Sequence, residues 1–169
     1  MPRTIALSLR QELEKQESAE AILCFVAISH PTLTDPLRFV SSPVNHVWGG
    51  NTYLGCVFDW QLMTDDDTPP TSRITVQNVD RIAGRYVRTL NSPARIRIDA
   101  LVASDFDEST DPREEIGTPT AFYTANHLYL VNVAGNNVDI QGELRSWDYV
   151  QENWPAVRAT QSRLPGVYR

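Results

Sequence analysis

Cysteine is scarce in this chain of 169 residues, which contains only Cys24 and Cys56. Each lies in or beside an apolar stretch, and no C-x-x-C pair occurs. One disulfide between them is conceivable, but a lone strand cysteine usually serves as a small buried hydrophobe. A zinc ion or an iron–sulfur cluster held within one chain requires more thiolate or imidazole ligands than this pattern offers. We therefore expect no bound cofactor.

Long hydrophobic runs and excess positive charge are also lacking. No stretch approaches the ~20 apolar residues of a membrane span, and residues 1–16 turn polar too early for a secretory signal. With Lys+Arg 15 against Asp+Glu 21, the net charge is -6, which disfavours a protein that grips a nucleic-acid backbone. We expect a protein that is soluble and cytoplasmic when made, does not insert into membranes and meets DNA only transiently.

Catalytic and metal-binding motifs are absent as well. His30, His46 and His127 are isolated from Cys, Asp or Glu at ligand spacing, and there is no G-x-S-x-G elbow or glycine-rich phosphate loop. We expect satisfied or solvent-facing histidines rather than ligands, and no enzyme. Asp65–Asp67 is the best cation candidate, but it lacks the calcium-loop spacing and is interpreted as a solvated turn.

Alternating hydrophobicity is the main positive signal, and it predicts a strand-dominated fold. Ala21–Ser29 is apolar on both faces and predicts a central strand covered on both sides. Ala94–Ser104 predicts a half-exposed strand with Arg95, Arg97 and Asp99 on its outer face. The other predicted strands are Leu37–Val40, His46–Trp48 and Asn51–Leu54 as a hairpin, Phe58–Met63, Ser72–Gln77, and the hairpin Ala121–Ala134 with Val138–Trp147.

Two segments have helical character. Asn78–Leu90 places apolar residues at i, i+3 and i+4 positions and predicts one amphipathic helix packed on the sheet. Residues 4–18 are rich in helix formers and predict an N-terminal helix. We expect one mostly β (α+β) domain over residues 1–169, a β-sandwich or barrel with a packed helix 78–90. Its parts are an N-terminal helix at 1–18, a core at 19–148 and a C-terminal arm at 149–169.

Four features are candidates for subunit contacts, although solvated surfaces would have the same composition. They are the arginine face of the central helix, the N-terminal helix, the arm Trp154–Arg169 and the acidic segment Asp105–Thr120. Because that segment is too polar to pack a core, it predicts a protruding, mobile loop. The candidate contact residues are Arg81, Arg85, Arg88, Asp105, Asp107, Glu108, Glu114, Glu115, Trp154, Leu164 and Tyr168.

Several short motifs carry a resemblance that spans residues 10–166. They are Ala21–Ile28 followed by His30–Pro31, then Pro36–Leu37–Arg38, the Pro69–Pro70 loop end, Arg73 to Asp80, and Leu164–Pro165–Gly166. With these motifs the chain resembles a family of short phage minor tail proteins, formerly of unknown function, encoded beside the tape measure. The stretch Ile74–Asp80 resembles the family signature "apolar-x-apolar-x-Asn-Val-Asp".

The resemblance implies a structural protein of the phage tail tip, similar to distal tail and hub proteins. Such proteins share a β-sandwich or barrel with one packed helix. They form hexameric or trimeric homo-oligomeric rings around a DNA-wide channel. The implied partners are tail tube, tape measure and hub proteins, and the implied location is the virion. Some similar hub proteins carry an iron–sulfur cluster on several cysteines, and this chain departs from them.

A second interpretation remains open from the residues themselves. Trp48, Tyr53 and Trp60 lie near the Gly49–Gly50 turn and could form a stacking surface on a monomeric β-sandwich. The function would then be carbohydrate or protein binding. Oligomeric state distinguishes the two interpretations, because a tail ring assembles and a binding module can stay monomeric.

Overall fold

A computed structural model gives the architecture, and it describes residues 20–60, 71–77, 92–136 and 138–146 together with residues 10, 14, 15, 17, 18, 163 and 166. Within these residues the protein is mostly β. The strands are β1 Ile22–Ser29, β2 Leu37–Val40, β3 His46–Trp48, β4 Asn51–Gly55, β5 Phe58–Trp60, β6 Thr71–Gln77, β7 Ala94–Val102, β8 Arg113–Glu114, β9 Tyr123–Gly135 and β10 Asp139–Arg145. A single 3₁₀ turn, Ala103–Asp105, follows β7.

The predicted strands are confirmed where the structure describes them. Alternating apolar side chains form β1, β6 and β7, and Gly49 and Gly50 turn the β3–β4 hairpin with φ of 56° and 72°. Positive φ at both turn positions matches the right-handed twist of hairpin strands and favours glycine. The long hairpin of β9 and β10 closes where Asn136 Oδ1 accepts the amides of Val138 and Asp139.

The described strands form one sheet in the order β5-β6-β10-β9-β7-β1-β2-β4-β3-β8. The segment that contains β4 and β5 closes this sheet on itself. Strand β4 pairs with β2, and β5, which is separated from β4 by only two residues, pairs with β6. At this junction the Cys56 amide donates to Val40 O at 3.0 Å, and the Gln77 amide donates to Val57 O at 3.0 Å. The sheet is therefore closed as in a barrel, with β3 and β8 attached outside the ring.

An inner core fills the closed sheet. It contains residues from β1, β2, β6, β7, β9 and β10, with Phe58 and Trp60 of β5 packed against it. Cavity space inside it amounts to about 30 Å³ and is lined by aliphatic and aromatic side chains. Such a volume holds about one water molecule, and an apolar lining gives that water no partner. The inner core therefore stabilises the fold and offers no ligand site.

An outer core lies on the opposite face of the central strands. It is built from Leu23, Phe25, Val40, Tyr53, Leu101 and Phe106, with Trp48, Ala103 and Ala121 against it. Side chains of β1 alternate between the two cores, so β1 is covered on both faces as predicted.

The acidic segment differs from its predicted form. Phe106 is 2% exposed, stacks on Phe25 with ring centroids 5.4 Å apart and lies edge-on to His46 at 5.0 Å. Phe106 also bridges to Glu115, and β8 pairs with β3. The expectation that this segment packs no core is therefore wrong, because the buried ring of Phe106 anchors a segment whose other residues are mostly polar.

The segment also changes the exposure of β7. Ala94–Arg97 alternates between buried and exposed, as expected, but Asp99, Ala100 and Leu101 are all buried. The half-exposed prediction therefore holds only for the first part of the strand. Residues 103–121 cover the outer face of its second part.

Several predictions fall outside the described residues. These are the central helix 78–90, the cation candidate at residues 65–67, the arm 149–169 apart from Arg163 and Gly166, and most of the N-terminal helix. Of that helix, Arg10 is helical and pairs with Glu14 at 2.9 Å. None of the described helical residues forms a helix long and apolar enough to cross a membrane.

Candidate functional site

A groove of about 330 Å³ opens on the outer face of the sheet beside the outer core. Its floor is Ala27 of β1, which the register places between Arg97 of β7 and Arg38 of β2. Because alanine ends at Cβ, the floor is low and the two arginines flank it. The β3–β4 hairpin supplies the opposite wall. The full lining is Ala27, Pro36, Arg38, Trp48, Gly49, Asn51, Tyr53 and Arg97.

Arg97 is fixed by a buried carboxylate. Its Nε and Nη2 donate to Asp99 at 2.7 and 3.1 Å, and Thr124 Oγ1 donates to Asp99 Oδ1 at 2.7 Å. Asp99 is 2% exposed, whereas the Arg97 side chain is 55% exposed. The hydrogen bond to Asp99 raises the Arg97 pKa further above its ordinary value. Arg97 thus presents a permanently charged guanidinium in a defined orientation, with its other edge toward solvent.

Arg38 and Tyr53 form the second polar pair. Arg38 Nη1 donates to Pro36 O at 3.4 Å, and the guanidinium lies close enough to the Tyr53 side chain to act on its pKa. Burial raises the pKa of the Tyr53 hydroxyl, and the nearby Asp99 charge raises it further, while Arg38 and Arg97 act in the opposite direction. The tyrosine is therefore a neutral hydroxyl near pH 7. It leaves the two arginines as the charged groups of the groove lining.

Trp48 forms an aromatic wall. Its ring lies 5.3 Å from Phe25 and 6.0 Å from Tyr53, and its Nε1 donates to Pro119 O at 3.4 Å. The neighbouring Gly49 amide donates to Glu115 Oε2 at 3.1 Å. The acidic segment therefore holds the hairpin that forms this wall. The resulting lining of two guanidiniums and an indole suits a planar anionic group such as a carboxylate.

The acidic candidate residues do not act alike. Glu115 points toward the hairpin and is engaged by Gly49, and Asp105 ends the 3₁₀ turn. Asp107 accepts both the amide and the hydroxyl of Ser109, which lowers its pKa below the ordinary value. Glu108 is 74% exposed, with Arg113 Nη1 3.8 Å away. We call residues 107–111 the acidic turn, and its residues 108–111 are exposed.

The other predicted contact residues cannot be placed. Arg81, Arg85, Arg88, Trp154, Leu164 and Tyr168 lie outside the described residues. The structure brings together instead two arginines outside the predicted contact set, Arg38 and Arg97. The sequence predicts only part of this arrangement. Alternation places Arg97 on the outer face of its strand, but no local pattern in the sequence indicates that Arg38 lies nearby.

The aromatic surface expected for a binding module is divided. Trp48 and Tyr53 border the groove, but Trp60 packs in the inner core with its ring 5.8 Å from Tyr123. The three rings therefore do not form one stacking surface. Alternation along the chain cannot show this, because β4 and β5 direct Tyr53 and Trp60 into different cores.

His46 and His30 are both buried. His46 Nδ1 lies 2.9 Å from Val44 O and is assigned as the donor, while Nε2 has no partner among the described residues. Burial lowers the His46 pKa, and Arg113 lowers it further. His30 lies 2.6 Å from Thr32 Oγ1 and 2.7 Å from Ser92 Oγ. Both therefore serve structural roles in this part of the chain.

The cysteines are free thiols, so the disulfide alternative is wrong. Burial raises the Cys24 pKa, and Cys56 Sγ donates to Gln77 O at 3.3 Å across the sheet junction. In the described ranges no three His, Cys, Asp or Glu residues converge as metal ligands.

Comparison with known protein families and with characterised protein sequences finds no match to this chain.

Proposed function

We propose that this protein is a structural subunit of a bacteriophage tail tip, forming a distal tail or hub ring. The ring joins the tail tube to the host-binding apparatus and lines the DNA channel. Its subunits act through self-assembly and through contact with tube, tape measure and hub proteins. The motifs quoted above from residues 21–40 and 73–80 are the basis of this proposal.

The closed sheet is the structural observation that carries it. Resemblance to tail proteins implies a sandwich or barrel, and the junction between β2, Cys56, Val57 and β6 supplies a closed sheet. Motif residues Arg73–Gln77 lie in β6, and Ala21–Ile28 lies largely in the central strand β1. Closure pairs the edges of the strands that enclose the inner core. We therefore expect contacts between subunits to use mainly side-chain surfaces.

Net charge supports the channel role. At -6 the subunit carries excess negative charge, and a ring of such subunits would repel DNA phosphates, so that the genome slides instead of sticking. A basic channel in an assembled ring would contradict this part of the proposal.

The test is negative-stain microscopy of the purified chain, combined with light-scattering mass at low and high concentration. We expect rings with a central hole, whose mass counts the subunits. A strict monomer at every concentration, and also in the presence of the tail tube protein, would refute the ring subunit.

A monomeric binding module is the second candidate function, and the groove itself favours it. Two arginines beside Trp48 would select an anionic ligand over a neutral sugar. A monomer that binds carboxylated ligands through this groove would support the module.

A further inference from the structure

The groove has cationic capacity that the described part of the chain does not use. Arg97 spends one edge of its guanidinium on Asp99, and its remaining donors face solvent. Arg38 donates to a neutral oxygen, that of Pro36, at 3.4 Å. A guanidinium pair of this kind binds carboxylates well, since each arginine offers two parallel N–H donors.

The acidic turn has an excess of negative charge. It carries Asp107, Glu108 and Asp111, and the cation next to it is Arg113, 3.8 Å from Glu108. Its conformation is fixed, because Asp107 accepts from Ser109 and its amide donates to Glu114 O at 2.8 Å. A preformed turn loses less entropy on docking than a flexible loop would.

Among the described residues, no hydrogen bond or ion pair joins the turn to the lining of the groove. The ion pair of Arg97 is with Asp99 and that of Glu108 is with Arg113. Pairing of β8 with β3 and burial of Phe106 hold the turn in place. Two complementary patches that are not paired within a subunit can pair between subunits, and such a head-to-tail contact closes into a ring when the rotation allows.

We propose that the groove formed by Arg38, Arg97 and Trp48 receives the acidic turn of a second copy of this chain. Glu108 of one copy enters between the two guanidiniums of the next, and Trp48 covers its methylene groups. The inference rests on the proposed function, because it names the joint between neighbouring ring subunits. It also replaces the arginine face of the central helix as the partner of the acidic segment.

Zero-length crosslinking tests the contact directly. The sequence has a single lysine, Lys15, so the variant Arg38→Lys adds one amine in the groove and conserves its charge. An equal mixture of ¹⁵N-labelled and unlabelled variant is treated with a carbodiimide and digested. We expect crosslinks from position 38 to Asp107, Glu108 or Asp111 in mixed-isotope pairs. Arg73→Lys, at an exposed position of β6, is the matched control and should give no link to the turn.

Charge reversal provides the second measurement. Arg38→Glu and Glu108→Lys should each weaken self-association about tenfold or more, because like charges then face each other. Combining both changes in one chain restores opposite charges and should recover most of the association. Arg73→Glu and Asp59→Lys are matched controls at exposed sites. Should Arg38→Glu fail to fold, Glu108→Lys still tests the contact, since Glu108 is a surface residue.

The outcomes separate the two proposals. Rings without a mixed-isotope link from position 38 to the turn would refute the groove contact and leave the ring function standing. A link without rings would support the contact and count against the ring. Indiscriminate links from position 38 to carboxylates all over the chain, or no recovery in the double charge reversal, would overturn the inference.

Discussion

Replacing Phe106 by alanine should strongly destabilise the protein, although Phe106 lies within the most acidic segment of the chain. The ring is 2% exposed, and Phe25 and His46 contact it at 5.4 and 5.0 Å between centroids. Phe→Ala changes in cores cost about 3–5 kcal/mol through lost transfer free energy and the cavity left behind. The segment can partly collapse into the space, so we expect the lower end, about 3 kcal/mol. For a chain of this size that corresponds to a melting temperature about 6–12 °C lower.

Urea unfolding followed by tryptophan fluorescence measures this change as a lower midpoint at constant slope. Ile116→Ala is the matched control, because Ile116 belongs to the same segment and is 59% exposed. We expect less than about 0.5 kcal/mol for it. Equal effects of the two substitutions would refute the reasoning, since the segment would then behave as the solvated loop that its composition suggests.

Three further predictions concern other parts of the chain. Asp99→Asn removes the charge that orients Arg97. We expect the free energy of unfolding, measured in urea, to fall by about 1–2 kcal/mol after allowing for solvent screening of Arg97. A loss no larger than that of Asp59→Asn, at an exposed site, would contradict this. Burial lowers the His46 pKa, so the unfolded chain takes up a proton near pH 6.5 that the folded chain resists. The free energy of unfolding should therefore be highest above that pH and fall by up to about 1.4 kcal/mol per pH unit below it. His46→Phe should flatten the decline between pH 6.5 and 5, and an unchanged slope in thermal melts would show that another group titrates. Deletion of residues 154–169 should abolish rings in negative stain while circular dichroism shows a folded monomer, and rings of unchanged size would exclude the arm as a subunit contact.

The sequence predicted the strands well because period-two alternation is a local property. It could not show what covers each face. Asp99 lies on the same face of β7 as Arg95 and Arg97. It is buried because Phe106 and the segment that crosses over β7 cover this part of the strand. A single aromatic residue among acids is a weak signal, so Phe106 was overlooked.

The candidate site was harder to predict than the strands. Arg38 and Arg97 are distant in the chain, and the registers of β2 and β7 with β1 bring them to either side of Ala27. Local patterns carry no information about such pairings. The sequence also does not predict that β4 and β5 pair with different strands, β2 and β6. The junction between them is formed by Cys56 and Val57, which carry no recognisable turn or junction motif.

Closure of the sheet also sets an order of events during synthesis. Strands β6 and β7 flank the β9–β10 hairpin, so both keep an open edge until the last strands leave the ribosome. Most strand pairings in the closed sheet join segments that are distant in the sequence, and such topologies fold slowly. The growing chain therefore exposes adhesive strand edges for most of its synthesis. The folded chain no longer offers those edges, so closure of the sheet ends this period of exposure.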